Sequence, residues 1–301
     1  MKGGGAMQNF LAPKLRKMVA EVLLKPGLEE IRLRLERPLM IKGDQGYICV
    51  SEEGQPCRPD RSYLVSADDL QRTIQIITKN SWYAWEQELL GGYLTLPGGH
   101  RVGIGGKAVF ANGVLKSVKD ISSLNFRVAK EIIGCAGSVL NKVLLGPEQK
   151  ILSTLIVSPP GCGKTTLLRD LTRQIANRGV QVAVIDERSE IAACYEGVPQ
   201  LDVGFQSDIL DGYSKEVGVN HALRGLSPQV VVTDEIGHQR DAWVLAELSR
   251  SGVKVIATCH GSSLSQVKAK NWAQSSMGVF ETVVILSRRN GPGTIESVLR
   301  L

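Results

Sequence analysis

The chain reads Ser158-Pro159-Pro160-Gly161-Cys162-Gly163-Lys164-Thr165-Thr166 directly after a predicted strand over residues 152–157 that ends in three apolar residues. An apolar strand, a glycine-rich turn and a helix start in this order are typical of a phosphate-binding loop, or P-loop. Its glycines let successive backbone N–H groups point at one anion, and the helix N-terminus adds partial positive charge. The stretch therefore predicts a site for nucleotide phosphates, with all nine residues as candidate ATP contacts.

Several side chains of this loop suggest particular roles. Lys164 is predicted to place its ammonium group between the β- and γ-phosphates, and the Thr165 hydroxyl to ligate Mg²⁺. Thr166 follows as a candidate contact of the α-phosphate. Ser158 stands where the P-loop pattern has a glycine. Cys162 is interpreted as a variable position of the loop, with a reactive thiol as the alternative.

A second polar strand end is expected in such a site, and the apolar run 230–232 provides it. Asp234 and Glu235 follow that run closely, and Asp234 lies 70 residues after Lys164. Asp234 is predicted to hold Mg²⁺, usually through water, and Glu235 to polarise the attacking water. Two carboxylates after a buried strand are also typical of a helix start, which is the alternative interpretation.

Two further strand ends carry polar residues. The segment Asp186–Glu190 follows the apolar run 180–185 and contains three carboxylates, of which Glu187 is a second candidate for ordering water. Such a segment can also begin a helix. Thr258 and His260 end the strand 253–257 and are candidates for contacting the γ-phosphate or the water, whereas a lone histidine is often structural. Ligands bind at the carboxyl ends of parallel strands, which favours the functional interpretation.

Arginines are the remaining candidates, because phosphoryl transfer develops negative charge that a guanidinium can stabilise. Five of them lie beside strand ends or glycine-rich turns, and the sequence does not rank them against solvated surface charges. They are Arg101, Arg127, Arg188, Arg224 and Arg240.

The pattern along the chain predicts two domains. Residues 1–135 mix short strands and helices and indicate a smaller α+β domain. The predicted strands lie at 31–35, 46–50, 100–104 and 124–128, and a helical stretch over 68–90 is broken near 80–81. A turn is predicted at Gly105-Gly106 and a hairpin at Asn112-Gly113. Residues 136–301 alternate continuous apolar strands with helices and close with a hairpin around 290–293. This alternation predicts an α/β P-loop NTPase with a RecA/AAA-like parallel sheet flanked by helices.

Composition excludes several classes of protein. The 301 residues are 43% hydrophobic and 22% charged, which is an ordinary globular balance. No apolar run approaches the roughly 20 residues of a membrane span, and no secretory signal is evident. The six cysteines form no C-x-x-C pair, so no zinc or thioredoxin-type site is expected, and they fit a reducing cytoplasm. The net charge of +6 permits an anionic partner without requiring one.

Four motifs in a fixed order resemble the secretion-type ATPases, the motors of type II and type IV secretion and of pilus retraction. These are the P-loop, the acidic segment Asp186–Glu190, the run 222–228 before Asp234 and Glu235, and Thr258-Cys259-His260. The N-terminal stretches 30–34, 98–103 and 124–129, together with 184–192, resemble the sporulation branch of these ATPases in endospore-forming bacteria. The resemblance covers nearly the whole chain.

This resemblance implies a cytoplasmic, hexameric ATPase that uses ATP and Mg²⁺. It would lie on the mother-cell side of the forespore membrane and dock on membrane-embedded components of a secretion-like channel. Arg101 and Arg127 match the N-terminal arginines that complete the nucleotide site in such rings, and Arg224 lies in the element before the second acidic strand.

Two alternatives remain open at this point. The net charge motivates a nucleic-acid-stimulated, RecA-like motor, although no lysine and arginine run supports a nucleic-acid partner. Ser158 motivates a nucleotide-gated scaffold with little hydrolysis.

Overall fold

The computed structural model describes residues 7–23, 27–145 and 150–301. The chain divides into two compact units, Met1–Lys130 and Glu131–Leu301, so the division falls a few residues before the position 135 expected from the sequence. Among the described residues, no helix is both long enough and apolar enough to cross a membrane.

The first unit is built around an antiparallel sheet. Its strand order is β4-β3-β2-β1-β7-β6-β5, and every neighbouring pair is antiparallel. The strands are β1 (Glu30–Arg34), β2 (Met40–Gly43), β3 (Gly46–Val50), β4 (Pro56–Cys57), β5 (Tyr93–Leu96), β6 (His100–Ala111) and β7 (Val114–Arg127). The helices are α1 (Pro13–Leu23), α2 (Ala67–Ile77) and α3 (Glu86–Leu90).

The core of this unit is formed by side chains that are buried at alternate positions along the strands. In β1 the side chains of Ile31 and Leu33 are fully buried while their neighbours are half-buried, as expected for a strand with one face on a core. α2 begins with a capping box, in which Ser66 and Asp69 each bind the other's backbone N–H. The structure confirms the strands predicted at 31–35 and 46–50. It also confirms the break in the helical stretch, since α2 ends at Ile77.

The turn predicted at Gly105-Gly106 is wrong, because β6 runs through it as far as Ala111. The pairing with β7 shifts its register between Gly105 and Lys107. A Cβ on Gly106 would come within 2.7 Å of the Lys119 carbonyl oxygen, so the glycine permits a close strand approach rather than a chain reversal. The reversal occurs at Asn112-Gly113, as predicted, where both residues have positive φ.

The second unit contains a mixed sheet of order β12-β11-β13-β14-β10-β15-β16, parallel except for its last pair. A short hairpin of β8 (Leu144–Leu145) and β9 (Lys150–Ile151) precedes it. The sheet strands are β10 (Thr154–Ser158), β11 (Val182–Asp186), β12 (Ser207–Asp211), β13 (Val230–Thr233), β14 (Lys254–His260), β15 (Thr282–Ser287) and β16 (Thr294–Arg300). The helices are α4 (Gly137–Val143), α5 (Lys164–Ala176), α6 (Lys215–Gly225), α7 (Asp241–Arg250), α8 (Leu264–Lys268) and α9 (Asn271–Ser276).

Both faces of this sheet are covered, which explains its continuous apolar strands. Along β10, Leu155 and Val157 join the hydrophobic cluster on one face, and Ile156 joins the cluster on the other. The strands predicted at 152–157, 180–185, 230–232 and 253–257 and the hairpin around 290–293 are confirmed to within a few residues. β12 was missed because it is polar, with only Leu210 buried, and therefore has no apolar run.

Candidate functional site

The P-loop connects the end of β10 to the start of α5. Gly163 is the N-cap of that helix with φ of 85°, and Gly161 has φ of 69°. Both values lie in the left-handed region that favours glycine. Ser158 is the last residue of β10 and has extended backbone, so the position expected to be glycine does not need one. Its hydroxyl donates to the Pro159 carbonyl at 2.8 Å.

Lys164 lies buried over this loop. Its Nζ is 3.4 Å and 3.3 Å from the carbonyl oxygens of Ser158 and Pro159, and 3.1 Å from Nδ1 of His260. Burial lowers the pKa of the lysine, while the carboxylates of Asp234 and Glu235 act in the opposite direction. The cation is thus held at the mouth of the loop, where an anion would be bound.

Two hydroxyls converge on Asp234. Thr165 Oγ1 donates to one carboxylate oxygen at 2.7 Å, and Thr258 Oγ1 donates to the other. In the described part of the chain no group of three or more histidine, cysteine, aspartate or glutamate side chains could hold a metal. Mg²⁺ takes few protein ligands and keeps waters and phosphate oxygens, so a hydroxyl beside a carboxylate fits this ion.

Glu235 has an unusual backbone and a fully engaged side chain. Its φ is 48°, and its N–H is held by Asp234 Oδ1 and by Thr258 Oγ1, each at 2.9 Å. One carboxylate oxygen is 3.1 Å from His260 Nε2, and the other is 2.5 Å from Arg188 Nη1. A strained backbone that its neighbours hold in place is a feature of functional sites.

Strand order explains how these groups meet. β14 lies between β10 and β13, so its C-terminal end separates the P-loop from the acidic strand end. Ser158 pairs with His260 in the register of β10 and β14. His260 therefore bridges Lys164 and Glu235, one ring nitrogen to each. Sequence order alone did not reveal this bridge.

The segment after β11 is a loop held in place by hydrogen bonds, and no helix begins there. The buried carboxylate of Asp186 accepts the backbone N–H groups of Glu190, Ile191 and Ala192 at 2.7 to 2.9 Å. Burial raises the pKa of Asp186 to about 6 in spite of these hydrogen bonds. Arg169 on α5 donates to two carbonyls of the same loop. Asp186 thus shapes the loop rather than offering a carboxylate to a ligand.

Glu187 points into the same cavity as Glu235, which has a volume of about 210 Å³. Its carboxylate is bound to Lys215 at 2.5 Å, at the first residue of α6. No local pattern indicates this pair, because 28 residues separate its members. Glu235 contacts His260, whereas the carboxylate of Glu187 is paired with Lys215.

The structure separates the candidate arginines. Arg188 contacts Glu235, and Arg240 lines the same cavity. Arg224 lies in the last turn of α6, about 13 Å along the helix from Lys215 and on the side where β13 begins. The sheet does not bring it to the P-loop of its own chain.

Two more of these arginines lie in the first unit. Arg101 and Arg127 are register partners on β6 and β7, and therefore share one face of that sheet. The guanidinium of Arg101 stacks on the ring of Tyr93 at 4.4 Å.

The remaining loop residues make few side-chain contacts. Cys162 is buried, with Sγ 3.7 Å from the Pro160 carbonyl oxygen. Thr166, which follows Thr165 in the first turn of α5, is half-buried.

The sheet order and the P-loop define the class as an α/β P-loop NTPase fold. The structure is similar to the ATPase DotB of Legionella pneumophila, with a TM-score of 0.56 and 14% identity over 86% of this chain and 72% of that chain. It is equally similar to the pilus retraction motor PilT with bound ADP, with a TM-score of 0.56 and 14% identity over 90% of this chain and 76% of that one.

Comparison of the sequence identifies a particular family, whereas the fold identifies only a broad class. Residues 3–300 match the family described as sporulation stage III, protein AA. The chain is 36% identical over 282 residues to stage III sporulation protein AA of Bacillus subtilis strain 168, covering 90% of this chain and 86% of that relative. This chain belongs to that family, and the resemblance stated from the motifs is confirmed.

Proposed function

We propose that this protein is a Mg²⁺-dependent ATPase whose P-loop holds the phosphates and whose Glu235 orders the attacking water. The observation that carries the proposal is the bridge from Lys164 through His260 to Glu235. It couples the group that contacts phosphate to the group that acts on water.

Each side chain has a defined task in this proposal. Lys164 donates to the phosphates, and the backbone N–H groups of the loop from Gly161 to Thr165 surround them. Thr165 and Asp234 would hold Mg²⁺, which neutralises phosphate charge when bound. Glu235 accepts a proton from water, and His260 orients its carboxylate.

We further propose that the protein works as a homo-oligomer, a hexamer by analogy with secretion ATPases. Arg101, Arg127 and Arg224 are candidates for completing the site of a neighbouring subunit. The first unit, 1–135 by the sequence boundary, would supply oligomer contacts and 136–301 the catalytic fold. DotB is an ATPase and PilT a pilus retraction motor, and the B. subtilis relative is a sporulation protein. These names support a cytoplasmic motor that docks on membrane-embedded sporulation components.

The test is phosphate release by the purified protein with Mg²⁺ and ATP, measured beside the binding of a fluorescent ATP analogue. Glu235→Gln should bind ATP and release phosphate at least about 100-fold more slowly, because the amide cannot accept the proton. Lys164→Ala should bind no nucleotide. If Glu235→Gln releases phosphate at the wild-type rate, Glu235 is not the base.

The same measurement distinguishes the two other functions. ATP binding without phosphate release in the wild type would indicate a nucleotide-gated scaffold. Stimulation of phosphate release by DNA or RNA that declines steeply with added salt would indicate a nucleic-acid motor.

A further inference from the structure

The turn between β15 and β16 lies directly against the P-loop. It comprises residues 288–293, here called the 288–293 turn. The Gly293 N–H donates to the Cys162 carbonyl at 2.9 Å. The Gly293 nitrogen is also only 3.2 Å from the point that a Cβ on Gly163 would occupy. The two backbones are therefore packed so closely that a Cβ at Gly163 would require the turn to shift by a few tenths of an ångström.

Hydrogen bonds within the hairpin hold this turn in one shape. The Gly291 N–H donates to the Arg288 carbonyl at 3.0 Å, and Thr294 Oγ1 donates to the Gly291 carbonyl at 2.7 Å. The Arg289 N–H donates to Ser287 Oγ at 3.0 Å. These hydrogen bonds therefore fix the backbone of Arg288 relative to the P-loop.

Arg288 extends over the glycine of the loop. Its Nη1 is 3.5 Å from the point that a Cβ on Gly161 would occupy. Among the described residues Arg288 forms no ion pair, and its side chain is exposed. A cation is thus held, without a counter-charge, beside backbone N–H groups arranged for an anion.

The strand order gives Arg288 its direction of approach. β15 pairs with β10 in parallel, so its C-terminal end reaches the sheet edge where the P-loop lies. β14, which carries His260, flanks β10 on the other side. Lys164 is turned towards the β14 side by its contact with His260, whereas Arg288 comes from the β15 side.

We propose that Arg288 binds the phosphate chain of the nucleotide held by the P-loop of the same subunit. The inference rests on the proposed function, since it needs a nucleotide in that loop. A guanidinium suits the task because its fork of N–H donors matches phosphate oxygens in pairs and keeps its charge at every relevant pH. The 288–293 turn thereby becomes a second wall of the phosphate site.

The experiment measures binding of a fluorescent ADP analogue to the full chain and its displacement by inorganic pyrophosphate. Arg288→Ala should weaken the binding of both ligands by about ten-fold, the effect of losing a charged hydrogen bond. Arg288→Lys should recover part of the loss. Arg289→Ala is the matched control, one residue along the same turn, and should bind both ligands as the wild type does.

Pyrophosphate affinity decides the outcome. If Arg288→Ala binds pyrophosphate as tightly as the wild type, the proposal is overturned even when ADP binding weakens, because a guanidinium against the base or ribose would give that result.

Lys164→Ala distinguishes a failure of this inference from a failure of the proposed function on which it rests. Lost binding in Lys164→Ala with unchanged binding in Arg288→Ala refutes the inference alone, whereas a wild type that binds neither ligand refutes both. Equal thermal unfolding midpoints of Arg288→Ala and Arg289→Ala show that both variants are folded.

Discussion

His260 connects two residues that the sequence separates by 71 positions, Lys164 and Glu235. Nδ1 of its ring lies 3.1 Å from Lys164 Nζ, and Nε2 lies 3.1 Å from Glu235 Oε1. A histidine with both nitrogens engaged is held in one orientation, and the carboxylate that it contacts is held with it. This ring therefore helps, together with Arg188, to fix the position of the Glu235 carboxylate.

Replacing His260 by alanine should slow ATP hydrolysis by about 100-fold while ATP affinity changes less than about three-fold, because the carboxylate remains but is no longer oriented. Steady-state phosphate release and ATP titration measure the two quantities. His221→Ala is the control, since His221 is exposed on α6 and outside the cavity. A parallel loss of affinity and rate would assign His260 to binding instead.

Asp186 should make stability depend on pH. Its pKa is about 6 in the folded protein and near its ordinary value of 3.8 in the unfolded chain. The folded state therefore binds more protons between these values, and the free energy of unfolding falls as pH rises through this window, by up to about 3 kcal/mol. Denaturant unfolding at pH 4, 5, 6 and 7 measures it. Asp186→Asn should lack this component, and identical pH profiles would contradict the assignment.

At the scale of elements, the sheet order is what brings the site together. The sequence predicted β10, β13 and β14 from their apolar runs, and the residues at their ends from residue type. It could not predict that β14 lies between the other two, because strand order depends on packing between distant segments. For the same reason the contact of the 288–293 turn with the P-loop had no sequence signal, although the hairpin itself was predicted.

Ser158 is best judged as part of its strand. It ends β10 with a buried side chain and extended backbone. Ser158→Gly would restore the usual pattern, yet we expect no gain in phosphate release, and a loss of about 0.5–1 kcal/mol in unfolding free energy from greater chain entropy. Phosphate release and denaturant unfolding test this together. Faster turnover in Ser158→Gly would show that the serine restrains the loop.

At the scale of the whole molecule, the two units differ in how many of their strands and helices could be predicted from the sequence. The alternation of apolar strands and helices in Glu131–Leu301 gave nearly every central element, since buried parallel strands have continuous apolar runs. The first unit has an antiparallel sheet with partly exposed strands, and there Gly105-Gly106 was mistaken for a turn. Glycine signals both a reversal and a close strand approach, and only the partner strand distinguishes them.

Arg224 provides a test of assembly, because the fold keeps it away from the P-loop of its own chain. If it completes a neighbour's site, Arg224→Ala should be inactive alone, and mixing it equally with Lys164→Ala should restore activity at roughly a quarter of the interfaces of a ring. Phosphate release after mixing, with light scattering to establish oligomer size with and without ATP, measures this. Full activity of Arg224→Ala alone would remove it from the site.

The place of β14 between β10 and β13 also limits which side chains can replace His260. Its Nδ1 faces Lys164 Nζ and its Nε2 faces a Glu235 carboxylate oxygen, so both contacts need two polar atoms on one rigid ring. A side chain with a single polar atom could keep only one of them. We therefore expect the range of tolerated residues at this position to be narrow.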